Sequence, residues 1–454
     1  MTLGPDFFDP VKAATFPEAQ LRFRNQAAAE SIGLGALTPE AWQKHFWAFQ
    51  PLPGNLPQPL ALRYHGHQFT HYNHELGDGR GFLFAQIPVG NTWYDLGTKG
   101  SGQTPYSRDG DGRLTLKGAF REALATELLQ SLGVNTSKTL SIFETGENLI
   151  RYDEPSPTRS AVLVRLNHGH IRIGTFQRLA YLNEVENIGK LTEVCLQTYY
   201  PDLQSTDSDE RAFLFYQAVM RHCALLAAQW MIAGFVHGVL NTDNINISGE
   251  SFDYGPYRFL PRYDVRFTAA YFDQRGLYSF GRQPATMLWN LQRLAECLKL
   301  KYDSLPAEEI LEEFSDEFNT QVLHLFLTRL NLKSRGAEKD SELLQSYFVF
   351  LESSQVLFEQ AFFDFFGGLH SQRWLKSPQK DHYQGEEFEK FKTLVAVYEV
   401  DNPAKNSHPY FAKIHPCTLL IEEIEALWKP IAENDDWRPF QSKIEEIRAF
   451  RGVY

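Results

Sequence analysis

The sequence is notable first for what it lacks. Its 4 cysteines among 454 residues are scattered at Cys195, Cys223, Cys297 and Cys417. No two form a C-x-x-C pair, and they read as reduced thiols of a cytoplasmic protein. Long apolar runs are missing too. The most apolar stretch, residues 223–236, is too short to span a bilayer and carries Gln229. Excess positive charge is absent: the net charge of -12 argues against a nucleic-acid partner, though not against a local basic pocket for phosphates. Residues 1–20 hold Asp6, Asp9 and Glu18 and no apolar centre, so they read as neither a signal nor a transit peptide. There is no internal repeat and no low-complexity tract. What remains, 43% hydrophobic and 22% charged, is the composition of a folded soluble chain with room for two or three structural units.

Hydrophobic patterning sets out a coarse order. Residues 1–60 are aromatic and proline-containing, with no clear chemistry. Gly77-Asp-Gly-Arg-Gly81 predicts a tight turn, residues 82–87 a strand, and residues 92–99 its return after the turn Pro88-Val-Gly-Asn91. A glycine-rich loop over residues 100–112 precedes a helix over 119–132, whose apolar stripe ends at Gly133. Residues 161–166 predict another strand, Asn167-His-Gly-His170 a turn, and residues 210–235 a long helix. From about Pro284 onward the chain reads as mainly helical.

The chemistry concentrates after that long helix. His237-Gly-Val-Leu-Asn-Thr-Asp-Asn244, followed by Asp253-Tyr-Gly255, resembles the His-x-Asp-x-x-x-x-Asn and Asp-Phe-Gly loops of protein kinases. The position of the usual base is Val239, which can neither take a proton nor orient a hydroxyl. Asn244 and Asp253 offer hard oxygen donors suited to magnesium. Asp243 is the remaining carboxylate of the loop and the candidate base; Asn and Asp there also suit plain turn chemistry. Lys99, closing a strand, is the candidate phosphate ligand, with Glu122 on the following helix as its partner; a surface lysine and a solvated acid are the alternative. Gly77, Gly79 and Arg80 could cradle phosphate, or simply form a turn. Arg165 and Arg172 are seven apart, which on one unbroken strand would place them on opposite faces. The turn between them lets both converge on a polyphosphate. His65, His67, His71 and His74 fit no closed tetrahedral zinc spacing and read as polar packing near the glycine loop.

Further motifs extend this pattern: Gly66-His-Gln-Phe69, Leu76-Gly-Asp-Gly-Arg80, Lys99-Gly-Ser-Gly with Thr104-Pro-Tyr-Ser-Arg108, Asp111-Gly-Arg113, Arg121-Glu122, His170-Ile-Arg-Ile-Gly-Thr-Phe176, Gly234-Phe-Val-His-Gly238, Asp253-Tyr-Gly-Pro256, Gln283-Pro284 and Trp289-Asn290. With these, residues 60–295 resemble the selenoprotein O family of pseudokinase-fold protein nucleotidyltransferases, as a bacterial-type member without selenocysteine. The resemblance implies an α+β fold with a protein-kinase-like bilobal core and a largely helical C-terminal extension. Its expected parts are an N-terminal extension (1–60), a β-rich lobe (61–160), a lobe with the catalytic and metal loop (161–300) and a helical region (301–454), for which a lid or substrate-docking role is the expectation.

The family binds its nucleotide in a flipped orientation and moves the nucleoside monophosphate to Ser, Thr or Tyr hydroxyls of proteins. Carried over by motif, Gly77, Gly79, Arg80, Lys99, Asp111, Gly112, Arg165 and Arg172 contact ATP or UTP. Glu122 supports Lys99, Asn244 and Asp253 bind Mg2+ or Mn2+, and Asp243 accepts the proton. Partners implied are nucleotide and protein substrates, including the chain itself, with no nucleic acid and no membrane. Several positions depart from the family: Thr70 and Tyr72 stand where Gly and Trp are usual, Gln103 replaces an Arg, and a Gly-Thr insertion precedes Lys99. Residues beyond 300 match poorly apart from Asp401-Asn-Pro403. No cysteine or selenocysteine motif occurs at the C-terminus. A nucleotide-binding pseudokinase without turnover and a phosphoryl-transferring kinase using Asp243 are the competing readings.

Overall fold

The computed structural model describes residues 3–152 and 154–454; Met1 and Thr2 of the expected N-terminal extension, and Asp153 of the expected β-rich lobe, lie outside the described residues. The strands are β1 (Phe8–Pro10), β2 (Gln20–Arg24), β3 (Leu60–Leu62), β4 (Gly66–Gln68), β5 (His71–Asn73), β6 (Leu83–Val89), β7 (Thr92–Lys99), β8 (Leu114–Thr115), β9 (Lys138–Leu149), β10 (Thr158–Asn167), β11 (Phe235–Val236) and β12 (Arg258–Phe259). The main sheet runs β1-β3-β6-β7-β10-β9-β2, with β8 also paired to β10. Its pairings are antiparallel. The helices are α1 (Gln26–Ser31), α2 (Pro39–Phe46), α3 (Leu116–Ser131), α4 (Ile173–Tyr181), α5 (Val185–Tyr199), α6 (Ser208–Ile232), α7 (Gln283–Lys299), α8 (Ala307–Leu330), α9 (Ala337–Ser354), α10 (Phe358–Asp364), α11 (Arg373–Lys376), α12 (Glu386–Val395), α13 (Ile421–Asn434) and α14 (Arg438–Arg448). The architecture is therefore mixed α and β, a sheet followed by a helical C-terminal region.

The sheet is covered on both faces, which explains why β10 is buried nearly throughout. Val162, Val164 and Leu166 join Trp42, Phe46, Phe82 and Phe84 in one core. The alternate residues Ala161 and Leu163 join Phe120, Ala123 and Leu124 of α3 in another. Strand alternation then places Arg165 on the α3 side as well.

Residues 3–60 are built into this sheet. They supply β1 and β2, which pair with β3 and β9. The helical end is equally committed. Phe440 of α14 packs on Phe120 of α3 at 5.2 Å and on Phe23 of β2 at 5.9 Å. Buried Glu127 of α3 accepts from Arg448 at 2.6 and 2.8 Å, from Arg451 at 2.7 Å and from Asn25 at 2.9 Å. The rest of the C-terminal region forms its own aromatic core around Phe326, Tyr347, Phe350, Phe362, Phe365 and Phe391. Among the described residues, no helix is long and apolar enough to cross a membrane.

Candidate functional site

A cavity of about 860 Å³ opens between the sheet and the loop after β11. Its floor is made by register. In the β7–β10 pairing, Leu163 faces Lys99 and Arg165 faces Gly97, so Lys99 and Arg165 emerge on the same side. Helix α3 starts at Leu116 because the Thr115 side chain accepts from Gly118 N at 3.1 Å. Six residues on, it delivers Glu122 beneath the lysine. Lys99 Nζ donates to Glu122 Oε2 at 2.6 Å and pairs with Asp253 Oδ1 at 2.7 Å. Arg165 Nη1 stands 3.7 Å from Glu122 and 3.5 Å from Asp253. The expected lysine–glutamate pair is thus formed, and Asp253 joins it.

The two arginines converge as the broken-strand argument requires. Gly169, with φ of 100°, turns the chain after β10, and Arg172 takes the N-cap position of α4. The guanidinium carbons of Arg165 and Arg172 lie 5.2 and 5.1 Å from the centre of the Phe252 ring, and Arg172 also covers Tyr64 at 4.2 Å. Arg172 donates to the Asp243 carbonyl at 3.1 Å and approaches Asp78 at 3.5 Å.

The loop that carries Asp243 is strapped from several sides. Gln283 of α7 accepts from His237 N at 3.0 Å and donates to Phe235 O at 2.9 Å, and Asn290 donates to Leu240 O at 3.0 Å. The ring of His237 is buried and contacts the Phe252 carbonyl at 2.9 Å through Nε2. Burial lowers its pKa, so it is a neutral spacer holding the two loops together. Asp243 is itself buried, and its Oδ1 has no hydrogen-bond partner among the described residues. Burial pushes its pKa up from 3.8 to about 6, against the pull of Arg172. Burial also opposes ionisation of Asp253, yet Lys99, Arg165 and Arg80 together hold its carboxyl well below the ordinary range. Asp253 adopts φ of 65°, a left-handed backbone that aims its carboxylate at the lysine.

Of the expected residues, Gly77, Gly79, Arg80, Lys99, Asp111, Gly112, Arg165, Arg172, Asp243 and Asp253 line the cavity. Glu122 lies under Lys99 and Asn244 beside the lining; Asn244 Nδ2 donates to the Val239 carbonyl at 3.1 Å. Gly77 and Gly79 serve close packing. A Cβ on Gly77 would lie 2.3 Å from the Tyr106 ring, and one on Gly79 would lie 2.8 Å from the Tyr106 carbonyl oxygen. Asp111 sits at the rim, held by Arg151 at 2.8 and 3.0 Å. Asp78 of the glycine turn also lines the cavity, as do Arg151, Tyr64, Ile150, Tyr152 and Tyr271, which went unnoticed in the sequence. Arg151 reaches Asp111 across 40 residues, and no local spacing encodes that approach.

Three histidines of the run, His65, His67 and His74, are taken up in packing, while His71 is exposed. His65 Nδ1 meets Tyr72 OH at 3.0 Å, and His67 Nδ1 meets the Gln177 amide at 2.7 Å. His74 stacks on Tyr181. Burial lowers His65 to about 4, which keeps it neutral at pH 7.

The sequence model of the family described as "Protein adenylyltransferase SelO" matches residues 1–448. The chain belongs to the SelO family. The family match reaches well past residues 60–295 and takes in the helical end that resembled it poorly by motif. Among SelO-family relatives, "Protein nucleotidyltransferase YdiU" of Synechocystis sp. is 43% identical over 464 aligned positions, covering 99% of this chain and 96% of the relative. The protein of the same name from Trichormus variabilis is 42% identical, with 99% and 94% covered. That from Vibrio cholerae is 36% identical, with 77% and 70% covered.

Proposed function

We propose that this protein transfers AMP from ATP, with UTP as an alternative donor of UMP, to Ser, Thr or Tyr hydroxyls of proteins and releases pyrophosphate. Membership of a family described by protein adenylyltransfer, and the names of the relatives, support the reaction class. The observation that carries the assignment of roles is the buried, unpartnered Asp243 oxygen, which shares one cavity with Lys99, Arg165 and Arg172. The same grouping supports reading the architecture as kinase-like and bilobal, with the sheet above the cavity and the His237 loop below it.

In this reading Lys99, Arg165 and Arg172 bind the polyphosphate, each through charge-assisted hydrogen bonds. Glu122 holds Lys99 in its place. The acceptor hydroxyl attacks the α-phosphorus, the bond to the pyrophosphate oxygen breaks, and the hydroxyl proton passes to Asp243. A carboxylate whose pKa is about 6 is mostly ionised at neutral pH and is a better base than an ordinary aspartate. Asp253 and Asn244 offer hard oxygen atoms of the kind that would hold Mg2+ or Mn2+. Such an ion, when bound, would neutralise charge on the phosphates and the leaving pyrophosphate.

The test compares α- and γ-labelled ATP with the protein alone and with a lysate, in Mg2+ and in Mn2+. Label from the α-phosphate only, lost in Asp253→Ala, is the expected result. Label from the γ-phosphate only would mean a kinase reaction. Bound ATP with no label transferred would mean a nucleotide-binding pseudokinase.

A further inference from the structure

The segment after Asp253-Tyr-Gly has a character of its own. Residues 258–282 contain five arginines and two aspartates in a chain whose net charge is -12. Asp273 is turned inward, where it accepts from the N–H groups of Leu277 and Tyr278, both at 2.8 Å. Asp264 is then the exposed acid of the segment. Arg262 is tied to the Gln355 carbonyl, and Arg282 donates to the carbonyls of Arg275 and Gly276 at 3.3 Å. Arg275 is exposed, and the Arg266 side chain is 93% exposed, with its Nε 4.0 Å from Asp264 Oδ1 at the limit of an ion pair. Beside them Tyr271 is 81% exposed and Phe272 46%.

This surface is fixed to the site. Tyr278 OH donates to Asn241 Oδ1 at 2.7 Å, two residues before Asp243. Phe69 packs against Tyr278 at 4.8 Å and Phe272 at 5.8 Å. Gly281 N donates to Val265 O and Phe280 N to Phe267 O, both at 2.9 Å, so the two limbs of the segment are joined. Tyr271 lines the same cavity as Asp243. A protein segment lying on Tyr271 and Phe272 would therefore bring a hydroxyl to the mouth of the cavity. Exposed Tyr and Arg are also the residue types that carry binding energy at protein interfaces. On an acidic molecule, a basic patch selects acidic partners through complementarity and steering.

We propose that residues 264–282 dock the acceptor protein, and that the docked element is an acidic segment whose carboxylates pair with Arg266 and Arg275 and whose apolar part covers Tyr271 and Phe272. The proposal rests on the adenylyl-transfer reading above. It is tested by steady-state AMP transfer, at saturating ATP, to a random Glu–Tyr copolymer and to a random Lys–Tyr copolymer. The Glu–Tyr polymer is expected to have the lower KM. The double variant R266E/R275E raises that KM by about tenfold or more, in keeping with like-charge repulsion at an interface. Its kcat, its KM for ATP and its thermal midpoint stay unchanged, and R266K/R275K keeps the low KM. Equal use of both polymers by the wild type, or an unchanged KM in the charge-reversed variant, overturns the proposal. Self-labelling from α-labelled ATP separates the two levels. If it occurs without preference for Glu–Tyr, only the docking proposal falls; if AMP goes neither to the protein nor to either polymer, both readings fall.

Discussion

Two regions of this protein are built on opposite principles. The C-terminal core is a close-packed set of rings: Phe350 contacts Phe388 at 5.4 Å and Phe391 at 5.5 Å, and it has no exposed surface. The cavity floor is a set of charges, where Lys99, Glu122, Arg165 and Asp253 crowd together while oxygens of Glu122 and Asp243 and nitrogens of Arg165 lack hydrogen-bond partners. Apolar burial stabilises at about 25 cal/mol per Å² with no geometric demand beyond shape. Buried charge costs several kcal/mol per ion unless it is paired. The aromatic region is organised for stability, and the charged one holds groups ready for a ligand that supplies the missing partners.

Substitutions that separate stability from activity would break the comparison. The largest effect is expected at Asp243. Asp243→Asn should lower AMP transfer by about 10²–10⁴-fold, the range for loss of a positioned base. It should also raise stability at pH 8, by on the order of 1–3 kcal/mol. The sign follows from the raised pKa: the native state favours the protonated acid, so stability from this group is full below 3.8 and is lost as pH rises through about 6. Denaturant unfolding of both proteins at pH 4 and pH 8 checks this. Activity of the wild type should rise through about pH 6 to a plateau, and a profile flat from pH 5 to 8 would remove Asp243 as the base.

Phe350→Ala should do the reverse. It should cost about 3–5 kcal/mol, as truncating a buried ring does, and leave the KM for ATP unchanged in the folded fraction. Glu127→Ala lies between the two regions. It removes the acceptor for Arg448, Arg451 and Asn25, and a loss of about 1–3 kcal/mol is expected in thermal or denaturant unfolding. The smallest effect is expected at the turn between β4 and β5, where Phe69 and Thr70 have φ of 48° and 69°. A glycine at position 70 would suit that backbone better than a β-branched residue. Thr70→Gly should stabilise by about 0.5–1 kcal/mol, read as a small rise in thermal midpoint.

What could be read from the sequence follows the range of the interactions involved. Strand β7 was legible to its ends, since local turns bound it on both sides. Helix α3 begins three residues before the expected start because Thr115 caps it, and α6 ends at Ile232, short of the expected 235, because Gly234 with φ of 61° turns the chain into β11. The His237, Asn244 and Asp253 spacing was visible because one loop carries it. The placement of residues 3–60 in the sheet was not, since β2 pairs with β9 more than a hundred residues away. The Arg151–Asp111 pair and the role of Tyr271 at the cavity mouth depend on folding that no short motif records.

The clasp on Glu127 has a consequence in time as well as in space. Arg448 binds it across 321 residues. A growing chain exposes α3, with its site residue Glu122, long before that clasp can close. Until residues 448 and 451 have left the ribosome, Asn25 is the one of these three partners that can reach the Glu127 carboxylate, on the helix that holds Lys99 in place. Assembly of the cavity is thereby tied to late synthesis, and a prematurely ended chain would hold the cavity-lining half of the molecule without the full set of contacts that steadies it.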